Sequence, residues 1–220
     1  MRKALAREKV VFDGEFFTLP LPDGPGKALT LTVHPVREHI PIYLAAIGPK
    51  NLELTGEIAD GWLAIFFAPE SADDIMAPLR AGREKAGKSM DGFDVVPTVP
   101  VVLGPDPVAC ADPIRAYSAL YIGGMGSRDK NFYNRYTREM GYEAAAIEIQ
   151  DLFLSGRKEE AVQAVPDALV DEVALIGPLG RIRERASEWR RLGAEGKVGT
   201  LILGMQQQEH LGAIAEILLE

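Results

Sequence analysis

The segment that most constrains the fold of this chain is PIYLAAIGPKNLELTGEIADGWL, residues 41–63. Its apolar run IYLAA is typical of a strand that is covered on both faces. Gly48-Pro49 follows, and proline suits the first turn of a helix because no N–H group is needed there. Apolar residues recur over the next turns, and DGWL opens a second apolar run. The segment therefore predicts a strand, a helix and a second strand parallel to the first.

The rest of the chain continues this alternation. WLAIFF (62–67), FDVVPTVPVVL (93–103) and VGTLILG (198–204) are three further strand candidates. Pro97 and Pro100 weaken the middle one, because proline removes a hydrogen bond from a central strand. Residues from about 106 to 166 contain several helical segments, which form a long insert before the last strand. The pattern predicts an α/β protein with about four parallel strands, either half of a closed (β/α)8 barrel or a small open sheet.

The first forty residues have a different character. Residues 2–7 are predicted to be the end of a helix, and Asp13-Gly14 separates two β-rich runs in the manner of a hairpin turn. The following stretch PLPDGPGKA is a Pro/Gly-rich loop. We therefore divide the chain into residues 1–40, which hold the hairpin and the loop, and residues 41–220, which hold the parallel strands.

Charge and composition limit the partners that we expect. The net charge of −8 opposes nucleic acid or an anionic membrane as the main partner, since both attract positive surfaces. No apolar run approaches the ~20 residues of a membrane helix, and the start lacks the pattern of a signal peptide, so we expect a cytoplasmic protein. Three scattered histidines and the single Cys110 predict no metal site and no intrachain disulfide, with Cys110 as a small buried hydrophobic residue.

The turn Ala45-Ala46-Ile47-Gly48-Pro49 is the strongest candidate for a binding site. It joins a buried strand to the start of a helix, where unpaired backbone N–H groups and the helix dipole favour an anion. Gly48 would allow a phosphate to approach the backbone closely. A plain turn with a helix-initiating proline remains the alternative. Gly177-Pro178 repeats this type of helix start later in the chain.

The segment IPIYLAAIGPKNLELTGEIADGW resembles the bacterial luciferase-like monooxygenase family, and within it the oxidoreductases that use the deazaflavin coenzyme F-420. Weaker resemblance extends to VVFDGEFFTLPLP and LIGPLGRIRERASEWRRLGAEGKVGTLIL. The resemblance implies a partial TIM barrel in which this chain supplies strands five to eight and the helical insert. It also implies hydride transfer between F-420, or alternatively FMN, and an organic substrate. The turn from Ala45 to Pro49 would hold the phosphate of the coenzyme.

Two more segments are candidates for ligand contact. Ile65, Phe66 and Phe67 end the second strand, where a barrel enzyme keeps its substrate contacts, and their side chains suggest an apolar or aromatic substrate; simple packing is the alternative. The insert segment SRDKNFYNRYTREM mixes basic and aromatic residues. It would meet the acidic tail of the coenzyme, or form an ordinary amphipathic helix. The members of this basic-aromatic cluster are Arg128, Lys130, Phe132, Tyr133, Arg135, Tyr136 and Arg138.

No residue is predicted as the catalytic acid or base, because the family tends to keep such residues in the amino-terminal half, which has no counterpart here. The second hypothesis is therefore a catalytically silent, truncated fragment. Four parallel strands without closure leave two open sheet edges and an apolar face. From this we expect a homodimer or a larger assembly.

Overall fold

The computed structural model describes residues 1–37 and 39–220, in two compact units, Met1–Ile42 and Tyr43–Glu220. The first unit contains helix α1 (Arg2–Leu5) and a hairpin of β1 (Phe12–Asp13) and β2 (Thr18–Leu19). The two strands are antiparallel, and the N–H group of Gly14 donates to the carbonyl oxygen of Phe17 at 3.0 Å, which closes the turn. The predicted hairpin is confirmed.

The second unit is built on a sheet of five parallel strands. These are β3 (Tyr43–Ala45), β4 (Gly61–Ala64), β5 (Asp94–Leu103), β6 (Leu175–Gly177) and β7 (Ile202–Gly204). Their order is β3-β4-β5-β6, and β7 also pairs with β5. The α/β fold with parallel strands is confirmed. Of these five strands, β6 is the one that was not predicted from the sequence.

Helices separate the strands throughout the second unit. They are α2 (Pro49–Ile58), α3 (Ala72–Lys85), α4 (Pro107–Ala119), α5 (Phe132–Thr137), α6 (Glu143–Leu154), α7 (Lys158–Gln163), α8 (Asp167–Val173), α9 (Leu179–Ala194) and α10 (Leu211–Leu219). Short π-helical turns follow α4 and α5 at Leu120–Gly124 and Arg138–Tyr142. The helical insert extends beyond residue 166, because Pro166 is the N-cap of α8 and begins a helix there.

The prolines of β5 do not disrupt the sheet, although the sequence suggested that they would. Pro97 lies opposite Ala64, the last residue of β4, and Pro100 lies opposite Gly204, the last residue of β7. Each proline therefore stands where a neighbouring strand ends and a ladder hydrogen bond is least needed. Even with these two prolines, β5 is the longest strand and lies at the centre of the sheet.

The two faces of the sheet have different surroundings. On one face, Trp62, Val95 and Val99 are buried in a core that includes residues of α2, α3, α9 and α10. The opposite face carries residues such as Leu63 and Ile202, which are 37% and 43% exposed. The helices of the insert form a second core of their own. The face that carries Leu63 and Ile202 is thus the more accessible face of the sheet.

Helix α2 is held tightly against α3 by two glycines. A Cβ atom on Gly82 would lie 1.9 Å from the carbonyl oxygen of Glu53, and one on Gly56 would lie 2.1 Å from that of Leu79. A larger residue at either position would push the helices apart. This contact fixes the position of α2 and therefore of the turn that begins it.

Among the described residues, no helix is long and apolar enough to cross a membrane.

Candidate functional site

The turn after β3 leads directly into the start of α2. Gly48 is the N-cap of this helix, with φ of +88° and ψ of 147°, and Pro49 occupies its first turn. Within residues 1–37 and 39–220, no side chain caps the helix start, and its first turn contains no acidic residue. Lys50 in that turn is exposed. The backbone donors and the dipole of α2 are therefore available to an anion.

The indole of Trp62 holds this turn against the sheet. Its Nε1 atom donates a hydrogen bond of 3.0 Å to the carbonyl oxygen of Ala46. Trp62 is 3% exposed and pairs in register with Leu44 of the neighbouring strand. No role was predicted for this residue from the sequence. The sequence offers one indication: a tryptophan in an apolar strand is expected to be buried, and its indole N–H group then needs a hydrogen-bond acceptor.

Arg135 of the insert reaches the same turn. A Cβ atom on Gly48 would lie 2.8 Å from Nη2 of Arg135, so glycine provides the space that the guanidinium occupies. Arg135 is also 3.6 Å from a carboxylate oxygen of Glu139 and stacks 5.5 Å from the ring centre of Phe132. Its side chain is 54% exposed, so it remains accessible. A helix start and a guanidinium together favour a phosphate or a carboxylate.

The other basic residues of the predicted cluster do not join this site. Arg128 forms an ion pair with Asp151 of α6. The Nε atom of Arg138 donates to Oδ1 of Asn134 at 2.8 Å. Lys130 is exposed. Of the four basic residues, Arg135 is the one that the structure brings to the Gly48 turn.

Phe66 follows β4 and forms a wall with tyrosines of the insert. It has a left-handed backbone, with φ of +51°, and is 5% exposed. The hydroxyl group of Tyr136 donates to the Phe66 carbonyl oxygen at 3.3 Å, and the rings of Tyr117, Tyr121 and Tyr133 lie about 6 Å from the Phe66 ring. Non-glycine residues with positive φ are uncommon and concentrate at functional sites. These contacts hold Phe66 in this conformation.

Burial raises the pKa of two phenols of this wall, and both are already neutral at pH 7 with the ordinary tyrosine pKa of about 10. Desolvation raises the pKa of Tyr136, and the charge of Glu139 adds to the effect. Desolvation followed by the neighbouring Tyr121 raises the pKa of Tyr133. At neutral pH the wall therefore offers rings and hydroxyl groups but no charge.

The three residues predicted to contact substrate have different environments. Phe66 belongs to the tyrosine wall, and Ile65 is half-buried beside it. Phe67 is 1% exposed in the core beneath the helices, with the rings of Trp62 and Trp189 at 6.0 Å and 5.7 Å. Phe67 therefore occupies a packing position.

The second Gly-Pro helix start is filled by the chain itself. Gly177 has φ of +104°, and a Cβ atom there would lie 2.9 Å from Cδ of Arg181. The guanidinium of Arg181 pairs with Asp171 at 2.5 Å. Cys110 is buried, and in the described part of the chain no group of three or more metal-ligating side chains is present.

Comparison with known proteins gives the family. The luciferase-like monooxygenase model matches residues 1–196. A Mycobacterium tuberculosis protein, provisionally named a coenzyme F-420-dependent oxidoreductase, is 40% identical over 207 residues, which are 91% of this chain and 60% of the relative. A 5,10-methylenetetrahydromethanopterin reductase of Archaeoglobus fulgidus is 26% identical over 177 residues, or 80% of this chain and 53% of that protein.

Solved structures show the same fold. The coenzyme F-420-dependent tetrahydromethanopterin reductase of Methanopyrus kandleri superimposes with a TM-score of 0.71 at 20% identity, covering 99% of this chain and 58% of that one. An F-420-dependent secondary alcohol dehydrogenase, solved with an F-420–acetone adduct, gives a TM-score of 0.62 at 17% identity, covering 92% and 52%. The chain thus spans about half to three fifths of the length of these relatives. With most of its length matched by the family model, the chain belongs to the luciferase-like monooxygenase family.

Proposed function

We propose that this chain forms part of the coenzyme site of an oxidoreductase that uses F-420, or alternatively FMN, and transfers a hydride to or from a small organic molecule. The observation that carries the proposal is the position of the Arg135 guanidinium beside Gly48 at the start of α2. Backbone donors, the helix dipole and a positive side chain converge there. This combination suits the phosphate of either coenzyme.

The residues of the turn fit such a group. The segment from Ala45 to Pro49 supplies backbone rather than charged side chains, and Gly48 leaves the donors of α2 uncovered. Trp62 keeps the turn in place through the Ala46 carbonyl. When it is bound, the deazaflavin or flavin ring supplies the hydride chemistry. The relatives named for F-420 use make this coenzyme the first choice.

The wall at Phe66 is proposed to border the substrate. Ile65 is half-buried beside the Phe66 ring, and Tyr136 fixes the Phe66 backbone through its carbonyl oxygen. Such a wall favours an apolar or aromatic molecule and excludes water from it. Phe67 packs against Trp62 and Trp189 in the other core and is not part of this wall.

Fluorescence titration of the purified chain with F-420 and with FMN tests the proposal. We expect saturable binding with a dissociation constant on the order of micromolar. Arg135→Gln should weaken it about tenfold, because a charged hydrogen bond to phosphate is lost at a half-exposed position. Arg128→Gln is the matched control, since it removes the same charge from an ion pair with Asp151. An equal loss in both variants would contradict the role of Arg135. Failure of both coenzymes to bind would instead favour a catalytically silent chain.

We also propose that the chain self-associates. Among the described strands, β3 pairs with β4 alone, and β6 and β7 each pair with β5 alone, so each of these three strands has one unpaired edge. The apolar side chains of Leu63 and Ile202 are exposed on the same sheet. Unpaired edges and apolar patches promote association. Sedimentation at micromolar concentration should show a dimer or a larger species, and a stable monomer would disprove this.

A further inference from the structure

A cavity of about 310 Å³ lies on the partly exposed face of the sheet. Its sides come from β5, from α4 and from the segment that follows β7. Its lining includes Thr98, Pro100, Ile114, Tyr117, Gly204 and Gln206. Thr98 pairs in register with Ile202, and Pro100 pairs with Gly204, which places the floor at the carboxyl end of β7 and beside the middle of β5. Barrel proteins bind their ligands at the carboxyl ends of their strands.

The described lining of this cavity has no charge. The ten described residues around it are apolar or neutral polar, without lysine, arginine, histidine, aspartate or glutamate. A charged ligand would lose its hydration there without gaining a partner of opposite charge. The chemistry of the wall therefore selects an uncharged molecule.

Two neutral polar groups in the lining are unused. Across residues 1–37 and 39–220, the hydroxyl of Thr98 and the side-chain amide of Gln206 take part in no hydrogen bond with the protein. The adjacent Gln207 differs, because its amide accepts from the Leu103 N–H at 2.9 Å and donates to the Leu103 carbonyl oxygen at 2.8 Å. Gln207 thus braces the end of β5, while Thr98 and Gln206 remain able to bind a ligand.

Tyr117 adds a third neutral polar group. Its ring packs 4.5 Å from that of Tyr121 and 5.8 Å from that of Phe66. Burial, followed by the interaction with Tyr121, raises the pKa of the Tyr117 phenol, which is in any case protonated at neutral pH. A hydroxyl group can donate one hydrogen bond and accept others, so it suits either an alcohol or a carbonyl oxygen.

We propose that this cavity binds a small uncharged organic molecule bearing a hydroxyl or carbonyl oxygen, with its carbon skeleton on Pro100 and Ile114 and its oxygen near Thr98, Tyr117 and Gln206. The identification of this molecule as the substrate rests on the proposed function. Binding to the cavity does not, because none of these residues belongs to the Gly48 turn. An alcohol and the ketone or aldehyde derived from it fit equally well, as the two sides of a hydride transfer require.

The test compares three probes of similar shape, benzyl alcohol, toluene and benzoate, by chemical-shift titration of the 220-residue chain without coenzyme. Gly204→Leu should block the cavity. A Cβ atom at position 204 has its nearest neighbour at 3.5 Å, so the backbone accepts a side chain. Gly212→Leu on α10 is the matched control, because a Cβ atom there meets nothing within 4 Å and the residue lies outside the cavity.

We expect benzyl alcohol to bind saturably to the wild type and to Gly212→Leu, and at least tenfold more weakly to Gly204→Leu. Benzoate and toluene should each bind the wild type at least threefold more weakly than benzyl alcohol. Thr98→Val and Tyr117→Phe, which keep the shape of the cavity, should each reduce benzyl alcohol binding about threefold and leave toluene unchanged. If Gly204→Leu does not fold, Thr98→Val and Tyr117→Phe still test the proposal.

Undiminished benzyl alcohol binding in folded Gly204→Leu, equally tight benzoate, or no saturable binding of any probe would overturn the proposal. Separate titrations with F-420 distinguish the two failures. If F-420 binds and benzyl alcohol does not, the cavity proposal fails alone. If benzyl alcohol binds and neither F-420 nor FMN does, the proposed function fails and the cavity proposal stands.

Discussion

The indole Nε1 of Trp62 donates a 3.0 Å hydrogen bond to the carbonyl oxygen of Ala46, and so joins β4 to the turn that begins α2. The bond is partly buried, so removal of the donor would leave a carbonyl group without a partner. A buried group in that state costs about 1–3 kcal/mol. The hydrogen bond therefore affects both the stability of the unit and the shape of the candidate anion site.

Trp62→Phe should lower the free energy of unfolding and weaken coenzyme binding. Trp189→Phe is the control, because Trp189 is also buried and its indole has no hydrogen-bond partner in the described part of the chain. Both changes lose ring volume, so the difference between their urea unfolding curves should be about 1 kcal/mol, the contribution of the hydrogen bond. If the two variants lose equal stability and equal affinity, the bond does not hold the turn.

Gly48→Ala should destabilise the protein and displace Arg135. With φ of +88° and ψ of 147° the backbone is in a region that side chains rarely adopt, and a new Cβ atom would contact the guanidinium. The conformational cost is about 1–3 kcal/mol. Urea unfolding measures this loss. Gly180→Ala is a matched control in a helix with open space, and it should be stabilising by up to about 1 kcal/mol. Equal effects of the two substitutions would show that the geometry at Gly48 is not required.

Gly82→Ala should separate α2 from α3. The added Cβ atom would lie 1.9 Å from the backbone carbonyl oxygen of Glu53, which cannot move as a flexible side chain would. Overpacking of this kind costs about 1–3 kcal/mol. Gly212→Ala in α10, where the space is open, should not lower stability. Thermal unfolding of the two variants provides the measurement, and a Gly82→Ala protein as stable as the wild type would contradict the close helix contact.

We expect the protein to lose stability at alkaline pH as the Tyr43 hydroxyl is deprotonated. Its hydroxyl donates to Oδ2 of Asp94 at 3.0 Å, and this bond is the main reason that its pKa is raised above the ordinary value of about 10. The folded state therefore holds the proton more tightly than the unfolded state. Its contribution to stability is complete below the unfolded pKa and is lost as the pH rises through the folded one.

Urea unfolding of the wild type and of Tyr43→Phe between pH 6 and pH 11 checks this. Stability of the wild type should fall more steeply above about pH 10 than that of the variant. Between pH 6 and pH 8 the two curves should run parallel, separated by about 1 kcal/mol for the lost hydrogen bond. Parallel curves over the whole range would show that Tyr43 does not titrate differently in the two states.

Local patterns predicted the elements well where the signal lay in neighbouring residues. The apolar run before Gly48-Pro49 became β3, the proline began α2, and DGWL began β4. The fate of Pro97 and Pro100 was harder to predict, because it depends on where β4 and β7 end beside β5. Phe66 and Phe67 are adjacent and equally apolar, yet they belong to different cores. Which side chain faces which core depends on the left-handed backbone at Phe66, and no local period encodes it.

By itself, the sequence determined the alternation of strands and helices, the hairpin near Asp13-Gly14 and the turn at Gly48, because periodicity and turn chemistry act between residues that are close along the chain. Only the tertiary structure placed Arg135 against Gly48, the Trp62 indole on Ala46 and the Glu53 backbone against Gly82. These contacts join residues that are distant or on separate elements, and packing of the whole unit decides them. The sequence predicted the Gly48 turn as a helix start, and the fold placed the positive charge of Arg135 beside it.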